Sequence, residues 1–474
     1  MNRTLRNQNL SNTLFDLLII GGGITGAGIA LDASSRGLKV ALIEKSDFAS
    51  GTSSRSTKLI HGGLRYLKQG ELKLVKEVGM ERAILYKNAP HIVIPEKMLM
   101  PFTNNGTFGK TISSIGLWIY DWLAGVPKAE RRKILNAKEA LQFEPLLEEK
   151  GLLGAAMYYE YRTDDARLTL DVLKTAQNYG AIITNYSNTT SFIYENDLIV
   201  GANVSDSITS ETFKIYATKV INATGPWVDT IRKTDYKNSE TRLMLTKGVH
   251  LVVPHQKFPI NQSIYFDVPD GRMLFAIPRG KTTYFGTTDT DFTDSLENPL
   301  VTNNDVKYLI DSVNQAFPKL NLTNSDIISS WAGLRPLIKK EGKKTTELSR
   351  KDEIFISKSG LISIAGGKLT GYRKMAERVV NLISKKPCVT EHIAIVKNES
   401  NNIDYMVQNE WVESIQDFVI RRTDMLYFEP QKLKNNLVEI ANKLADLKQW
   451  NAIKKESELV EVEKIISQSI NFKN

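Results

Sequence analysis

The 474-residue sequence has only one cysteine, Cys388, which excludes an internal disulfide framework. Its five histidines are scattered, and together with that cysteine they lack the spacing of a metal site, so no metal is expected. No run of about 18 apolar residues occurs, so no transmembrane helix is expected. The first fourteen residues lack the apolar stretch of a secretory signal. Together these absences predict a protein of a reducing compartment, the cytoplasm.

The charge is positive overall, with a net value of +9. Residues 401–474 carry 10 basic and 12 acidic side chains, so the excess lies in the first 400 residues. An anionic cofactor, a phosphorylated substrate or an acidic membrane surface could each use this charge, and a soluble protein with a basic surface is the simpler alternative. No basic run interleaved with aromatic residues forms a nucleic-acid-binding module, so no nucleic-acid partner is expected.

The start of the chain has the pattern of a βαβ unit. Residues 15–20 (FDLLII) predict a buried parallel strand, residues 24–35 a helix, and residues 38–44 (LKVALIE) a second strand. A unit of about thirty residues with this order begins a doubly wound α/β fold.

A glycine-rich turn lies between that first strand and the helix. Gly21, Gly23 and Gly26 give the pattern G-x-G-x-x-G, with Thr25 inside it. Glycines permit the tight turn and let backbone N–H groups reach a pyrophosphate at the helix N-terminus. Glu44 ends the second strand, where a carboxylate can accept hydrogen bonds from ribose hydroxyls. The combination predicts dinucleotide binding and disfavours a 2′-phosphate, whereas a purely structural turn is the alternative.

Three predicted regions follow from the rest of the pattern. Strand-rich stretches interleave with helices up to residue 384, residues 385–402 read as a linker, and the remainder is helical in pattern. The pattern predicts an α/β protein in which a doubly wound nucleotide-binding domain interleaves with a strand-rich domain, followed by a small all-helical C-terminal domain. The predicted boundaries are 14–92, 156–238 and 326–384 for the first domain, 93–155 and 239–325 for the second, and 403–474 for the third.

Eight motifs in order resemble one family of flavoproteins. They are DLLIIGGGITGAGIALDASSRGL, TSSRSTKLIHGGLRYL, DDARL, NATGPWV, KGVHLVVP, FGTTDTD, GLRPL and GGKLTGYRKMAE. The set is similar to the FAD-dependent glycerol-3-phosphate dehydrogenase family, within the D-amino-acid-oxidase-like flavoproteins, and the resemblance covers about residues 14–383. Two C-terminal stretches, NEWV at 409–412 and RRT at 421–423, also resemble signatures of that family.

The resemblance implies FAD as cofactor, an FAD-binding doubly wound domain, an antiparallel-sheet substrate domain and a helical C-terminal domain. It also assigns residues by motif. Its expected cofactor-binding residues are Gly21, Gly23, Thr25, Gly26, Glu44, Thr52, Ser53, Ser56, Lys58, Leu59, His61, Thr224 and Gly225. Its expected substrate-binding residues are Arg65, Tyr66 and Thr287, and its expected catalytic residues are His250, Arg335 and Lys368. A covalent flavin link through His61 is not expected, because the family holds FAD noncovalently.

Chemistry supports these residue types. Oxidation of a secondary alcohol needs a base with a pKa near the working pH, which favours histidine. A phosphate dianion needs fixed cations, and arginine offers a planar fork of donors. The alternatives are a core histidine for His250, a structural ion pair for Arg335, and a flavin contact alone for Lys368. Between His250 and Lys368 as the base, the sequence leaves the choice open.

The expected reaction is oxidation of sn-glycerol 3-phosphate to dihydroxyacetone phosphate, with electrons passed to quinone. A glycerol-3-phosphate oxidase using oxygen, a flavin oxidoreductase of 2-hydroxy or amino acids, and a nucleotide-binding protein without turnover are the alternatives. The chain has little room for the inserted segment of the oxidases, and the stretch before residue 409 is shorter than is usual in the family.

Quinone dissolves in lipid, so we expect peripheral association with the inner face of the cell membrane; a homodimer is left open. The apolar residues 115–125, followed by Lys128, Arg131, Arg132 and Lys133, have the makeup of an interfacial anchor, and a buried helix is the alternative.

Overall fold

A computed structural model describes residues 2–62, 71–104, 130–339 and 352–472. The strands are β1 Leu14–Ile20, β2 Val40–Ile43, β3 Leu59–Ile60, β4 Ile94–Thr103, β5 Lys133–Leu135, β6 Leu152–Arg162, β7 Ile182–Thr184, β8 Ser187–Glu195, β9 Leu198–Asp206, β10 Thr212–Asn222, β11 Leu243–Pro254, β12 Ser263–Asp267, β13 Met273–Arg279, β14 Thr282–Gly286, β15 Thr290–Asp291, β16 Ser329–Ile338, β17 Glu353–Ile356 and β18 Ile362–Ala365. The α-helices are α1 Arg3–Asn12, α2 Ile24–Ser35, α3 Leu72–Asn88, α4 Ala137–Phe143, α5 Asp165–Asn178, α6 Val228–Asp235, α7 Asn303–Ala316, α8 Tyr372–Val380, α9 Ile403–Asn409, α10 Met425–Phe428, α11 Pro430–Lys448 and α12 Ala452–Gln468.

The first sheet has the order β17-β18-β10-β1-β2-β7 and is parallel around its central strand β1. Successive side chains of a strand point to opposite faces. In β1, Leu17 and Ile19 pack with residues of α2, α5 and α8 on one face, while Leu18 and Ile20 pack against β8 and β9 on the other. Because both faces are covered, the strand is a continuous apolar run rather than an alternating one.

The second sheet has the order β15-β11-β14-β13-β12-β4-β6-β3, with β16 paired to β11 and β5 to β6. Its pairs are antiparallel except β12 with β4. One face packs against α7, and the opposite face packs against the C-terminal helices α9 to α12. The C-terminal helices therefore cover the back of the sheet that carries the predicted substrate residues.

A buried ion network joins the C-terminal helices to the first sheet. Asp47, just beyond β2, accepts from Arg422 at 2.6 and 2.9 Å and from Arg421. Arg421 also donates to Asp417 at 2.7 Å. Asn185 donates to Asp47 at 3.1 Å, so the carboxylate is hydrogen-bonded from both parts of the chain. Such groups stay buried because each charge is paired.

The architecture confirms the predicted α/β class with a helical C-terminal region, and several boundaries move. The second predicted strand is shorter, Val40–Ile43, and a 3₁₀ turn at Leu369–Gly371 precedes α8. Strand β16 pairs with the second sheet, although residues 326–384 were assigned to the cofactor domain. The predicted anchor at residues 115–125 lies outside the described residues. Within the described ranges, no helix is both long and apolar enough to cross a bilayer.

Candidate active site

A cavity of about 1270 Å³ lies between the two sheets. The turns after β1, β2 and β10 line one end, and β11, β13, β16 and the turn after β18 line the other. In open α/β sheets, ligands bind at the carboxyl ends of the strands, and this cavity has that position. We refer to its two parts as the dinucleotide end and the substrate end.

The turn after β1 can be built only with glycine at critical places. Gly21 has φ of +113°, a conformation that residues with a Cβ rarely adopt. A Cβ at Gly26 would lie 1.9 Å from the carbonyl oxygen of Gly21. Gly26 therefore lets α2 begin directly against the turn, with its N-terminus at the cavity. Ile24 N–H donates to Ser53 Oγ at 2.9 Å, which ties the following segment to the helix start.

Glu44 is fixed at the end of β2 and lines the cavity. Its Oε2 accepts from Gly22 N–H at 2.7 Å, and its Oε1 accepts from Ser46 N–H at 2.9 Å. Burial raises the pKa of this carboxyl above its ordinary value, against the two backbone hydrogen bonds. The carboxylate oxygens keep further lone pairs for hydroxyl donors.

Most of the expected cofactor residues line this one cavity. They are Gly21, Gly23, Thr25, Glu44, Thr52, Ser53, Ser56, Leu59, His61, Thr224 and Gly225. Gly26 packs behind the turn. The ammonium of Lys58 is buried in an ion pair with Asp165 Oδ1 at 2.6 Å instead of facing the cavity, so its side chain holds the 52–61 segment onto α5.

The imidazole of His250 lies at the substrate end, in β11. The ring stacks on Trp331 with centroids 4.9 Å apart, and Nε2 is 3.0 Å from Thr57 Oγ1. A Cβ at Gly286 would lie 2.7 Å from the ring, so a glycine is needed opposite it. Burial, together with the positive charges of Arg335 and Lys58, holds the pKa of His250 well below its ordinary value. The ring is therefore neutral at neutral pH and can accept a proton.

Arg335 lines the same end from β16. Its Nη1 donates to Asp289 Oδ1 at 3.0 Å and to the carbonyl of Thr288 at 2.8 Å, and its Nη2 donates to Thr287 Oγ1 at 2.6 Å. A Cβ at Gly248 would lie 2.3 Å from Nη2. The guanidinium is thus held by the loop after β14, in a space that a larger neighbour would fill.

Lys368 lines the cavity after two glycines, Gly366 and Gly367, that both have φ of +80°. Burial raises the pKa of Glu160 above its ordinary value. The positive charge of Arg82 and, more weakly, that of Lys368 act in the opposite direction. Glu160 Oε2 accepts from Arg82 at 3.0 Å and from Gly62 N–H at 3.2 Å. A buried carboxylate therefore lies near the cation on the β6 side of the cavity.

The described structure brings together His250, Thr287, Arg335 and Lys368, whereas Arg65 and Tyr66 lie outside the described residues. Sequence reasoning missed Thr57, Asp289, Trp331 and Glu160. Thr57 lies inside the motif TSSRSTKLIHGGLRYL and Asp289 inside FGTTDTD, so both could have been identified from the motifs. Trp331 and Glu160 lie on strands whose side-chain pattern marks them only as inward-facing.

The residues at the dinucleotide end fit FAD. A glycine turn and a helix N-terminus at the cavity suit a pyrophosphate, and Glu44 suits ribose hydroxyls. Gly51 and Trp227 both line the cavity, and a Cβ at position 51 would lie 3.1 Å from the indole ring, so the glycine leaves space there. The volume exceeds that of the pockets typical of small ligands, as a dinucleotide requires.

Comparison with known proteins agrees with this geometry. Residues 16–373 match the family described as FAD dependent oxidoreductase. An aerobic glycerol-3-phosphate dehydrogenase of Bacillus subtilis (strain 168) is 57% identical over 397 residues, which cover 82% of this chain and 72% of that protein. One of Staphylococcus aureus (strain MRSA252) is 51% identical over 482 residues, which cover 98% of this chain and 86% of that protein.

A crystal structure shows the same likeness in three dimensions. The glycerol-3-phosphate dehydrogenase of Bacillus halodurans, complexed with FAD, superposes with a TM-score of 0.84 at 38% sequence identity. The superposition covers 99% of this chain and 98% of that one. The two-sheet arrangement with its C-terminal helices is therefore shared over nearly the whole length.

Proposed function

The chain belongs to the FAD-dependent oxidoreductase family, and from that premise we propose that it oxidises sn-glycerol 3-phosphate to dihydroxyacetone phosphate. One observation carries the proposal: His250, Arg335 and Lys368 line a single cavity whose other end fits FAD. A base and two cations at one end match an alcohol that bears a phosphate. The relatives named for this substrate support the same assignment.

In this proposal the arginine and lysine bind the phosphate. Arg335 presents a planar fork whose orientation is fixed by Asp289 and Thr287 at 3.0 and 2.6 Å. These hydrogen bonds hold the positive charge at the substrate end, so little side-chain freedom is lost when a phosphate binds there. Lys368 adds a second charge from the turn after β18. Both residues line the cavity, so together they could hold the substrate in one orientation.

His250 takes the hydroxyl proton. Its ring is neutral because burial and neighbouring cations lower its pKa, and a bound phosphate dianion would counter those cations and raise its basicity. When bound, FAD supplies the acceptor for the hydride that leaves carbon. The walls formed by Trp331 and Tyr284, both buried, exclude water from the ring. We therefore propose His250 rather than Lys368 as the base.

Anaerobic mixing of the FAD-loaded protein with sn-glycerol 3-phosphate tests the reaction directly. We expect the visible flavin absorbance to bleach, with one equivalent of dihydroxyacetone phosphate formed for each flavin. D-lactate, glycolate and glycine serve as comparison substrates, since a carboxylate would meet the same arginine. Bleaching by one of these acids and not by glycerol 3-phosphate would assign a different substrate class.

For the electron acceptor we propose quinone at the membrane surface. The reduced flavin must be reoxidised, and a single cysteine cannot by itself ligate an iron–sulfur cluster. Arg131 and Lys133, which follow the predicted anchor in the sequence, are exposed, and basic residues favour anionic lipid.

Flotation with anionic liposomes at low and high salt, paired with reduction of a soluble quinone, is the measurement for the acceptor and membrane proposals. Recovery of all the protein in the soluble fraction, together with rapid peroxide formation in air, would instead identify an oxidase.

A further inference from the structure

The two ring nitrogens of His250 have unequal surroundings. Nδ1 is buried and has no hydrogen-bond partner within the part of the chain that the structure describes. Nε2 lies 3.0 Å from Thr57 Oγ1. A ring nitrogen makes one in-plane hydrogen bond, so the hydroxyl of Thr57 occupies the position from which Nε2 would exchange a proton.

The backbone of Thr57 is held in place by the same aromatic residues that hold His250. Tyr284 OH donates to the carbonyl of Thr57 at 3.0 Å, and Trp331 Nε1 donates to the carbonyl of Ser56 at 3.1 Å. The indole of Trp331 also stacks on the imidazole. Both members of the Thr57–His250 contact are thus fixed from one side, as a preorganised site requires.

Thr57 lines the cavity and its side chain is half-buried. A hydroxyl has one donor hydrogen and two acceptor lone pairs. When it donates to Nε2 of the neutral ring, its lone pairs remain for a hydrogen donated from the cavity. The described contacts give its Oγ1 no partner other than His250, so that capacity is not used elsewhere in the described structure.

The charges around the ring keep it neutral. Arg335 and Lys58 both disfavour a proton on His250, and the charge of Lys58 is balanced by Asp165 at 2.6 Å. A neutral ring with hydrogen on Nδ1 leaves the Nε2 lone pair pointing at Thr57. In this tautomer the hydroxyl of Thr57 donates and the imidazole accepts.

We propose that Thr57 is a catalytic relay that carries the substrate hydroxyl proton to His250 Nε2. The substrate O–H bond breaks as an O–H bond forms on Thr57 Oγ1, and the original Thr57 O–H bond breaks as an N–H bond forms at Nε2. The hydride leaves the same carbinol carbon with both electrons, for which bound FAD would supply the acceptor, and the carbon–oxygen double bond forms. This proposal rests on the proposed function and adds one residue to its base.

Thr57→Val removes the hydroxyl with little change of shape, and Thr57→Ser keeps it. We expect flavin reduction by sn-glycerol 3-phosphate to slow roughly 10²–10⁴-fold in Thr57→Val and to keep most of its rate in Thr57→Ser. FAD content and melting temperature of both variants establish that they fold. A parent rate in Thr57→Val would overturn the relay.

A proton inventory separates a relay from a purely positioning role. Two protons move together in the relay, so the rate of flavin reduction should curve with the fraction of D₂O in the parent and in Thr57→Ser. A residual direct transfer in Thr57→Val should give a straight line. A straight line in the parent, or an unchanged curve in Thr57→Val, would show that Thr57 only holds the ring.

Nitrogen NMR of ¹⁵N-histidine holoenzyme gives a readout without substrate. The chain has five histidines, and the His250→Gln variant identifies the signals of His250 by their loss. The relay requires hydrogen on Nδ1 and an accepting Nε2 whose signal shifts in Thr57→Val. A resting ring with hydrogen on Nε2 would overturn it. If glycerol 3-phosphate fails to reduce the parent flavin, the proposed function fails, and this tautomer still decides the relay.

Discussion

The dinucleotide end and the substrate end of the cavity are assembled from differently spaced parts of the chain. The first is built largely from residues 21–61, with backbone N–H groups and glycines in the leading roles. The second collects side chains from β11, β16 and the turns after β14 and β18, which are distant in sequence. A Cβ added to the backbone should therefore perturb the dinucleotide end, whereas removal of a side chain should perturb the substrate end.

The largest effect is expected from loss of the base. His250→Ala should slow flavin reduction by glycerol 3-phosphate roughly 10²–10⁴-fold while FAD stays bound, because the ring lies at the substrate end only. Stopped-flow absorbance and the ratio of flavin to protein measure both. His255→Ala is the matched control, since His255 pairs with Thr283 at 3.0 Å away from the cavity. Loss of FAD from His250→Ala would show that the two ends are not separable.

The dinucleotide end also depends on a distant segment. Burial opposes ionisation of Asp47, yet Arg422 and Arg421 lower its pKa from 3.8 to about 2. Asp47→Asn leaves the two buried guanidinium groups short of their counter-charge and should lower the free energy of unfolding by about 3–5 kcal/mol. Arg421 lines the cavity, so FAD should stabilise this variant less than the parent.

Acid titration gives the sign of this contribution. The folded-state pKa of Asp47 is depressed, so its stabilisation is complete above about pH 4 and is lost as pH falls toward 2. Thermal melts at several pH values should show this loss in the parent and not in Asp47→Asn. If both proteins lose the same stability as the pH falls, other carboxylates cause the loss in the parent.

These contrasts explain what sequence could and could not predict. The glycine turn, Glu44 and the apolar β1 follow from local pattern, because their roles are set by residues within a few tens of positions. His250 and Arg335 were assigned through motif resemblance, yet their hydrogen bonds to Thr57 and Asp289 needed the register of β11 with β14 and β16. Lys58 was assigned as a cofactor residue through the same resemblance, and its ion pair with Asp165, 107 residues away, could not be predicted from local pattern.

Gly26→Ala should perturb the dinucleotide end alone. The new Cβ would lie 1.9 Å from a backbone oxygen, which cannot rotate away, so the turn must shift. Overpacking of about 3 kcal/mol corresponds to a loss of FAD affinity of roughly 100-fold. Reconstitution of apoprotein, followed by flavin fluorescence, measures it. Gly371→Ala is the control, because a Cβ there meets nothing within 4 Å. Unchanged affinity in Gly26→Ala would mean that the turn has room to adjust.

The smallest effect concerns a contact that bridges the two sheets at the mouth of the cavity. Glu297, in the segment after β15, accepts from Lys45 at 2.6 Å and from Trp227 Nε1 at 3.0 Å, and Lys45 lies 4.4 Å from the indole centroid. All three line the cavity, but the Glu297 side chain is 63% exposed. An exposed ion pair contributes about 0–1 kcal/mol, so Glu297→Gln should speed FAD dissociation by at most about fivefold. Salt should reduce the difference between variant and parent, since solvent-exposed charges are screened.

Release of flavin fluorescence after dilution measures the rate at low and high salt. Asp311→Asn, which breaks an exposed pair with Lys307 of the same 2.6 Å length on α7, is the control and should leave the rate unchanged. A salt-independent acceleration well beyond tenfold would show that this contact closes the cavity, and the two ends would then share one gate.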